Sequence, residues 1–420
     1  MTGPVGLELR RGTGLLLAAG IAVTGVVLVL VSLVGPGSRL QWSVSGPGLV
    51  PWLNSVALLL GPMAGAAGAW SGSRERRLRV DELVAPVSRP RWQRDVASFG
   101  AMSVAVGAGL LIVVAATFAT VAGAVTYSGG RWPLSMLLVA LGYLAWLAAG
   151  VAAGRLFPYR WTAPAIGLLC YLVGGLPTYL HTAAGQLAPV GNLPGADGWQ
   201  LRPGVAALGA GWLLALTVTA LTAGAADRRR WAALPATVAI AAAVALLALP
   251  VRWTGKFNTA AWVVGDPRAN ERVCSTDTPR VCVRRVHANL LPEVTAVTRA
   301  ALAPVRGYTF IEEDPTTPPG VRPAVAPGEL VVIPNLQGRT QPFTGALRDP
   351  GELTRTSQDW AVSAWCPQLS AAGDRAYTTA RELVSGRSVP GVRDPAGWLR
   401  DYLAAARLCD TTAFERLAGS

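Results

Sequence analysis

The stretch WAALPATVAIAAAVALLALPVRWTGK, residues 231–256, carries the last long apolar run of the chain and its end. From Trp231 to Val251 only Thr237 interrupts the apolar residues, which is the length a helix needs to cross about 30 Å of hydrocarbon. Arg252, Trp253 and Lys256 then close the run. Beyond Trp253 the sequence has the mixed polarity of an ordinary soluble domain. This switch divides the chain into a transmembrane domain, residues 1–253, and a second domain, residues 254–420.

Six earlier segments read the same way: Thr13–Val34, Leu49–Trp70, Val96–Tyr127, Trp132–Gly154, Trp161–Leu180 and Gly204–Ala226. A hydrophobic content of 51% and a mean hydropathy of +0.38 agree with a membrane protein. None of the seven spans holds Asp, Glu, Lys, Arg or His. The third exceeds the bilayer and must tilt, break or extend beyond it. Gly61/Gly65 and Gly150/Gly154 are spaced for close helix contact, although so Gly- and Ala-rich a chain produces such pairs readily.

Orientation follows from the short loops. With the N-terminus inside, the inner segments carry Arg10, Arg11, Arg74, Arg76, Arg77, Arg79, Arg89, Arg91, Arg94, Arg155, Arg160, Arg228, Arg229 and Arg230. The outer loops carry Arg39, Arg131 and Arg202. This asymmetry satisfies the positive-inside rule and places the C-terminal domain outside. The net charge of +13 is therefore read as an orientation signal, not as a nucleic-acid footprint. Arg10 and Arg11 before the first span also resemble a signal peptide, but no clear A-x-A site follows, and cleavage would leave the remaining topology unchanged.

Four of the five cysteines, Cys274, Cys282, Cys366 and Cys409, fall in the second domain, as expected on an oxidising face. Cys274–Cys282 and Cys366–Cys409 are the favoured pairings. The first closes a loop through Asp277–Pro279; the second would staple two helix ends, for about 3–4 kcal/mol by chain entropy. Four thiols could also hold zinc, but no C-x-x-C is present. Cys170, within the fifth span, reads as a small apolar filler.

The second domain reads as mixed α/β. Strands are expected at Ala260–Val264, Val281–Val286, Tyr308–Glu312 and Leu330–Ile333. Helices are expected at Leu290–Ala303, Thr354–Trp365, Ala376–Val384 and Ala396–Leu408. The Pro-rich segment 313–328 is a loop. His287 is the domain's one histidine, expected as a structural or capping group, with catalysis the sharper alternative. Glu293 is not at H-E-x-x-H spacing from it. Glu312, Glu313 and Asp314 could hold a cation but read first as solvated surface. Ser363 and Ser385 lack a G-x-S-x-G context. Trp398 and Tyr402, four apart, share a helix face with Trp360 and Trp365 nearby, as expected of a core around Cys366 and Cys409.

The largest inner loop is SGSRERRLRVDELVAPVSRPRWQRD, residues 71–95. Val80, Leu83, Val84 and Val87 form a helical stripe that Pro86 cuts short, giving an amphipathic helix over Ser73–Ala85. It either floats on anionic lipid or docks into a cytoplasmic partner. Its pattern RRLRVDELVAPVSRPRW resembles the coupling-helix loop of type-2 ABC-exporter permeases. The stretch LVALGYLAWLAAGVAAGRLFPYRWTAPAIGLLCYLVGG looks like their middle spans. The resemblance covers roughly residues 1–251 and implies a separate cytoplasmic ATP-binding subunit contacted by Arg76, Arg77, Asp81, Glu82 and Leu83. It also implies pairing with a second copy or a sibling permease. The chain departs from that family in having seven expected spans and a large outer domain.

No G-x-x-x-x-G-K-[ST] occurs, so ATP would be bound by that separate chain. No catalytic constellation, cofactor site or metal site is expected. A multi-pass cell-membrane transport subunit, exporter-like, is the leading reading. A membrane-anchored sensor or scaffold whose outer domain binds a ligand or envelope partner is the second, and a membrane-bound hydrolase the third.

Overall fold

The computed structural model describes residues 14–34, 46–78, 91–120, 127–179, 198–224, 230–248, 263–305, 308–313, 330–333, 346–363 and 370–419, with single residues at 122, 125, 185, 187, 188 and 336. They form two compact units, divided between Gly265 and Asp266. Residues 123–128 belong to the second unit, although the chain around them belongs to the first. Trp253 lies outside the described residues.

The first unit is built from helices α1 (Gly14–Val34), α2 (Gly46–Gly72), α3 (Arg91–Ala119), α4 (Trp132–Leu156), α5 (Thr162–Tyr179), α6 (Pro203–Gly224) and α7 (Ala233–Ala248). All are apolar around most of their circumference, the signature of a helix surrounded by lipid or other helices. Six segments, Gly14–Leu33, Trp52–Gly72, Val96–Ala119, Trp132–Leu156, Pro203–Gly224 and Arg230–Ala248, are long and apolar enough to cross a membrane. They make the chain a polytopic helical membrane protein. The apolar part of α5, Thr162–Pro177, is shorter. The third segment, expected to run to Tyr127, leaves the helix at Ala119. Its overlong reading came from joining a span to the apolar segment 120–127, part of which belongs to the other unit.

Hydroxyl groups within these helices turn back on their own backbone. Thr117 Oγ1 donates to the carbonyl of Val113 at 2.8 Å and Thr217 Oγ1 to that of Leu213 at 2.8 Å. This satisfies a donor that hydrocarbon cannot. Trp52 Nε1 donates to Ser32 Oγ at 3.2 Å, joining α2 to α1. The tightest packing is between α2 and α4. A Cβ at Gly150 would collide with the carbonyl of Gly65, and one at Gly154 with that of Ala69. The expected Gly150/Gly154 pair therefore lies at a backbone-to-backbone crossing. A short antiparallel ribbon ends the unit. Strand β1 (Trp199–Leu201) pairs with β2 (Val263–Gly265) in the register Trp199↔Gly265 and Leu201↔Val263. Arg202 Nε adds a bond to the Val263 carbonyl. β1 was not legible because three residues are too few to show alternation.

The second unit carries a four-stranded sheet of β3 (Arg272–Cys274), β4 (Arg280–Arg284), β5 (Phe310–Glu313) and β6 (Leu330–Ile333), in that order. The first pair is antiparallel and the next two are parallel. A 3-10 turn, Arg285–Leu290, leads into α8 (Leu291–Ala301), so the strand expected to reach Val286 ends at Arg284. Val281, Val283, Leu290, Val294, Ile311 and Ile333 form one core beneath it. The mixed α/β expectation holds for three of the four expected strands, with β3 as an addition; the fourth, Ala260–Val264, overlaps β2, which belongs to the first unit and its separate ribbon.

Four further helices follow: α9 (Pro350–Val362), α10 (Ala371–Val384), α11 (Pro395–Leu408) and α12 (Thr411–Ala418). Each has an oxygen-bearing N-cap: Asp349, Ser370, Asp394 and Asp410. Pro350 and Pro395 follow their caps, where a missing N–H costs nothing. Trp398 stacks on Tyr402 at 5.7 Å, Tyr402 meets Phe414 at 5.9 Å, and Tyr402 Oη donates to the Val362 carbonyl at 2.7 Å. Trp398 and Tyr402 form the expected core face, completed by Phe414 of α12, a helix too close behind α11 to read as separate; Trp365 and Cys366 lie outside the described residues.

Candidate functional site

Two places gather polar chemistry, one in each unit. In the first, α2 ends in a single helical turn, Arg74–Arg77, that begins the segment expected as a helix over Ser73–Ala85. Arg76 is exposed. Arg77 folds back: its guanidinium lies 3.5 Å from the centre of the Trp70 ring, and Nη2 donates to the Trp70 carbonyl at 2.8 Å. A cation over an indole and against a terminal carbonyl caps α2 twice. Arg77 therefore fixes the helix end, and Arg76 is the arginine of the pair turned to solvent. Asp81, Glu82 and Leu83 lie outside the described residues.

In the second unit the chemistry is buried. Glu313 ends β5 at 1% exposure. One carboxylate oxygen accepts the Arg284 backbone N–H at 2.9 Å. The other accepts Arg284 Nε at 3.3 Å and Nη2 at 3.2 Å, and the Leu336 N–H at 3.0 Å. His287 Nδ1 lies 2.7 Å from that same oxygen. A carboxylate only accepts, so Nδ1 carries the proton. Arg284 Nη1 donates to Asn270 Oδ1 at 3.1 Å. Burial alone would raise the Glu313 carboxyl, but the charges and hydrogen bonds of His287 and Arg284 outweigh it and hold the group at about 2.

His287 is thus a core group, 1% exposed, that offers no ring nitrogen at the surface. The acidic run is not solvated as expected. Glu313 is the centre of the cluster and Glu312 pairs with Arg272, while Asp314 lies outside the described residues. The reason is strand alternation: Ile311 and Glu313 point to one face, and Arg284 supplies the charge that lets Glu313 follow Ile311 inward. Glu293 accepts the Leu347 N–H at 2.7 Å, another structural bond. Among the described residues no metal-ligand set of His, Cys, Asp or Glu gathers.

Cys274–Cys282 is formed and lies directly across the β3–β4 pair. Arg299 secures the intervening turn, donating to the carbonyls of Asp277 at 2.8 Å and Pro279 at 2.9 Å. Cys409 is disulfide-bonded, and its expected partner Cys366 lies outside the described residues. Cys170 is free and buried, as a filler should be.

One contact was not foreseen. Tyr127 Oη donates to Asp266 Oδ2 at 2.5 Å, while Asp266 Oδ1 accepts the Arg268 N–H at 3.1 Å. Tyr127 packs on the fully buried Ala269 and Val286. Burial and the carboxylate push its phenol up to about 12. Tyr127→Phe should destabilise the second unit by about 1–3 kcal/mol, because Asp266 is left buried with an unmet lone pair. Thermal denaturation of the purified chain measures it; a change within error would show that water replaces the phenol. No signal in the sequence joined positions 139 residues apart.

The chain matches no protein-family model, no curated protein and no solved structure. Its functional reading therefore rests on its residues and their geometry.

Proposed function

We propose that the protein is the transmembrane subunit of an ABC-type transport system, exporter-like, with its basic loop turned to a cytoplasmic ATP-binding subunit and its C-terminal unit outside the cell membrane. The observation that carries the topology of this reading is a matter of parity. Tyr127 bonds Asp266, so both lie on one side of the membrane. Between them run α4, α5, α6 and α7. Three crossings would separate the two residues and four would return the chain to the same side, which supports a crossing by α5. Its 18 residues span about 27 Å, close to the hydrocarbon thickness. The β1–β2 ribbon agrees, since two crossings, α6 and α7, separate its strands.

Seven spans follow. The loop after α2 is one crossing, α3, from Tyr127 and faces the side opposite the C-terminal unit. Arginines crowd that side, which the positive-inside rule assigns to the cytoplasm. Arg77 locks the end of α2 to Trp70, so a push on the loop reaches a span directly. α2 in turn meets α4 backbone to backbone, which gives the push a second rigid element. ATP binding in the partner would thus move α2 and α4 together.

Affinity purification of the tagged chain from its native membrane should recover an ATPase subunit. Charge reversal at Arg76, Asp81 and Glu82 should reduce that recovery tenfold or more if each broken pair is worth about 1 kcal/mol. Recovery that resists the reversal would sink the coupling role, and absence of any ATPase would favour a sensor or scaffold.

A further inference from the structure

We propose that the turn between α4 and α5 is a binding site for anionic phospholipid headgroups. The turn is residues 157–161, FPYRW. It is ordered: the Phe157 N–H donates to Ala153 at 2.9 Å, Tyr159 to Phe157 at 2.8 Å and Thr162 to Tyr159 at 3.1 Å. Yet this fixed backbone displays three rings outward, with Phe157, Tyr159 and Trp161 at 58%, 71% and 68% exposure. Rings held out at the end of a span belong at the level of lipid headgroups, where their apolar bodies leave water.

Two cations flank them. Arg155 stands in the last turn of α4, its stem beside Gly224 at the end of α6. The Arg160 guanidinium lies 5.5 Å from the centre of the Trp161 ring. Residues 131–196 contain no Asp or Glu, so the turn has no acid of its own; the acid nearest in sequence to Gly224 is Asp227, followed by Arg228, Arg229 and Arg230. On the end of α2 the described acid is Glu75, outnumbered by Arg74, Arg76 and Arg77. Guanidinium groups pair with phosphate through paired N–H donors, and the flanking rings place that phosphate at membrane depth. A net-negative lipid keeps its charge there, whereas the ammonium of a zwitterionic lipid cancels it. The site needs only that the spans cross a membrane, so it stands or falls apart from the ATPase.

The test uses the full chain in mixed micelles of phosphatidylglycerol and phosphatidylcholine, with bound lipid counted by native mass spectrometry. The chain should retain phosphatidylglycerol preferentially. Arg160→Gln should lower that preference about fivefold, and Arg155→Gln with Arg160→Gln further still. Arg160→Lys should keep most of it. Added inorganic phosphate should not displace the lipid. An unchanged preference in Arg160→Gln, which alters only an exposed side chain, overturns the proposal whether or not the double variant folds. So does displacement by phosphate alone.

Discussion

Glu313→Gln should cost the C-terminal unit about 3–5 kcal/mol, enough to unfold a marginal domain. The substitution keeps shape and volume, so packing is not the cause. Glu313 is ringed by donors: the backbone N–H groups of Arg284 and Leu336, two guanidinium nitrogens of Arg284, and His287 Nδ1. Either rotamer of a glutamine amide turns its NH2 toward at least one of them. It also removes the anion from beside Arg284, which is 2% exposed. A buried guanidinium without its counter-ion cannot be rehydrated in place. Denaturant titration of the full chain in detergent, read by proteolysis of the C-terminal unit, should show the loss. A midpoint unchanged from the native chain would mean that solvent reaches the cluster.

The pH dependence has a fixed sign. The folded carboxyl is held at about 2 against an ordinary 4.5, so its stabilisation is complete above that ordinary value. It fades as pH falls from about 4.5 toward 2, where the folded group also takes its proton. The Gln variant has no such proton to bind, so the gap between the two chains should narrow across that window. Replacing Arg284 and Glu313 together should cost less than the two single changes added, because each single change strands the other's charge.

The sequence declares some of this and conceals the rest for physical reasons. Spans are legible because length and polarity alone define them, and α4 begins at Trp132 as read. Their ends are less so. Tyr127 reads as the tail of a span because an apolar ring looks the same in lipid as against Ala269 and Val286. The helices of the C-terminal unit are legible in their bodies more than their starts: the one expected from Thr354 begins at Pro350 after the Asp349 cap, and the one expected from Ala396 begins at Pro395 after Asp394. The Glu313 cluster does not. Its members are spread from Asn270 to Leu336, and only a fold brings them to one oxygen. One clue was present: with Ile311 inward, period two already pointed Glu313 inward. Of the residues expected to contact an ATP-binding subunit, Arg76 and Arg77 sit at the described end of α2, and Asp81, Glu82 and Leu83 lie outside the described residues.

Glycine shows the same limit in the membrane unit, and it supplies the second large effect. Gly107 and Gly211 have open space where a Cβ would stand, whereas Gly150 and Gly154 face the carbonyls of Gly65 and Ala69. All four lie in apolar helices; four-residue spacing points to Gly150 and Gly154, but so Gly- and Ala-rich a chain makes that a weak ranking. Leu at Gly107 or Gly211 should be neutral or slightly stabilising, since it replaces a poor helix former with a good one. Leu at Gly150 or Gly154 must push the α2 and α4 backbones apart. The obstacle is a carbonyl, not a side chain that could rotate aside. Each change should cost at least the ~1–3 kcal/mol of an overpacked core, and the pair more than either. The separation also breaks the close contacts that hold helices together where water supplies no driving force. Thermal unfolding in a mild detergent, followed by size-exclusion chromatography, compares the four directly. If Gly154→Leu melts with Gly107→Leu, α2 and α4 are not in backbone contact. The proposed path from the basic loop through α2 to α4 would then lose its second step.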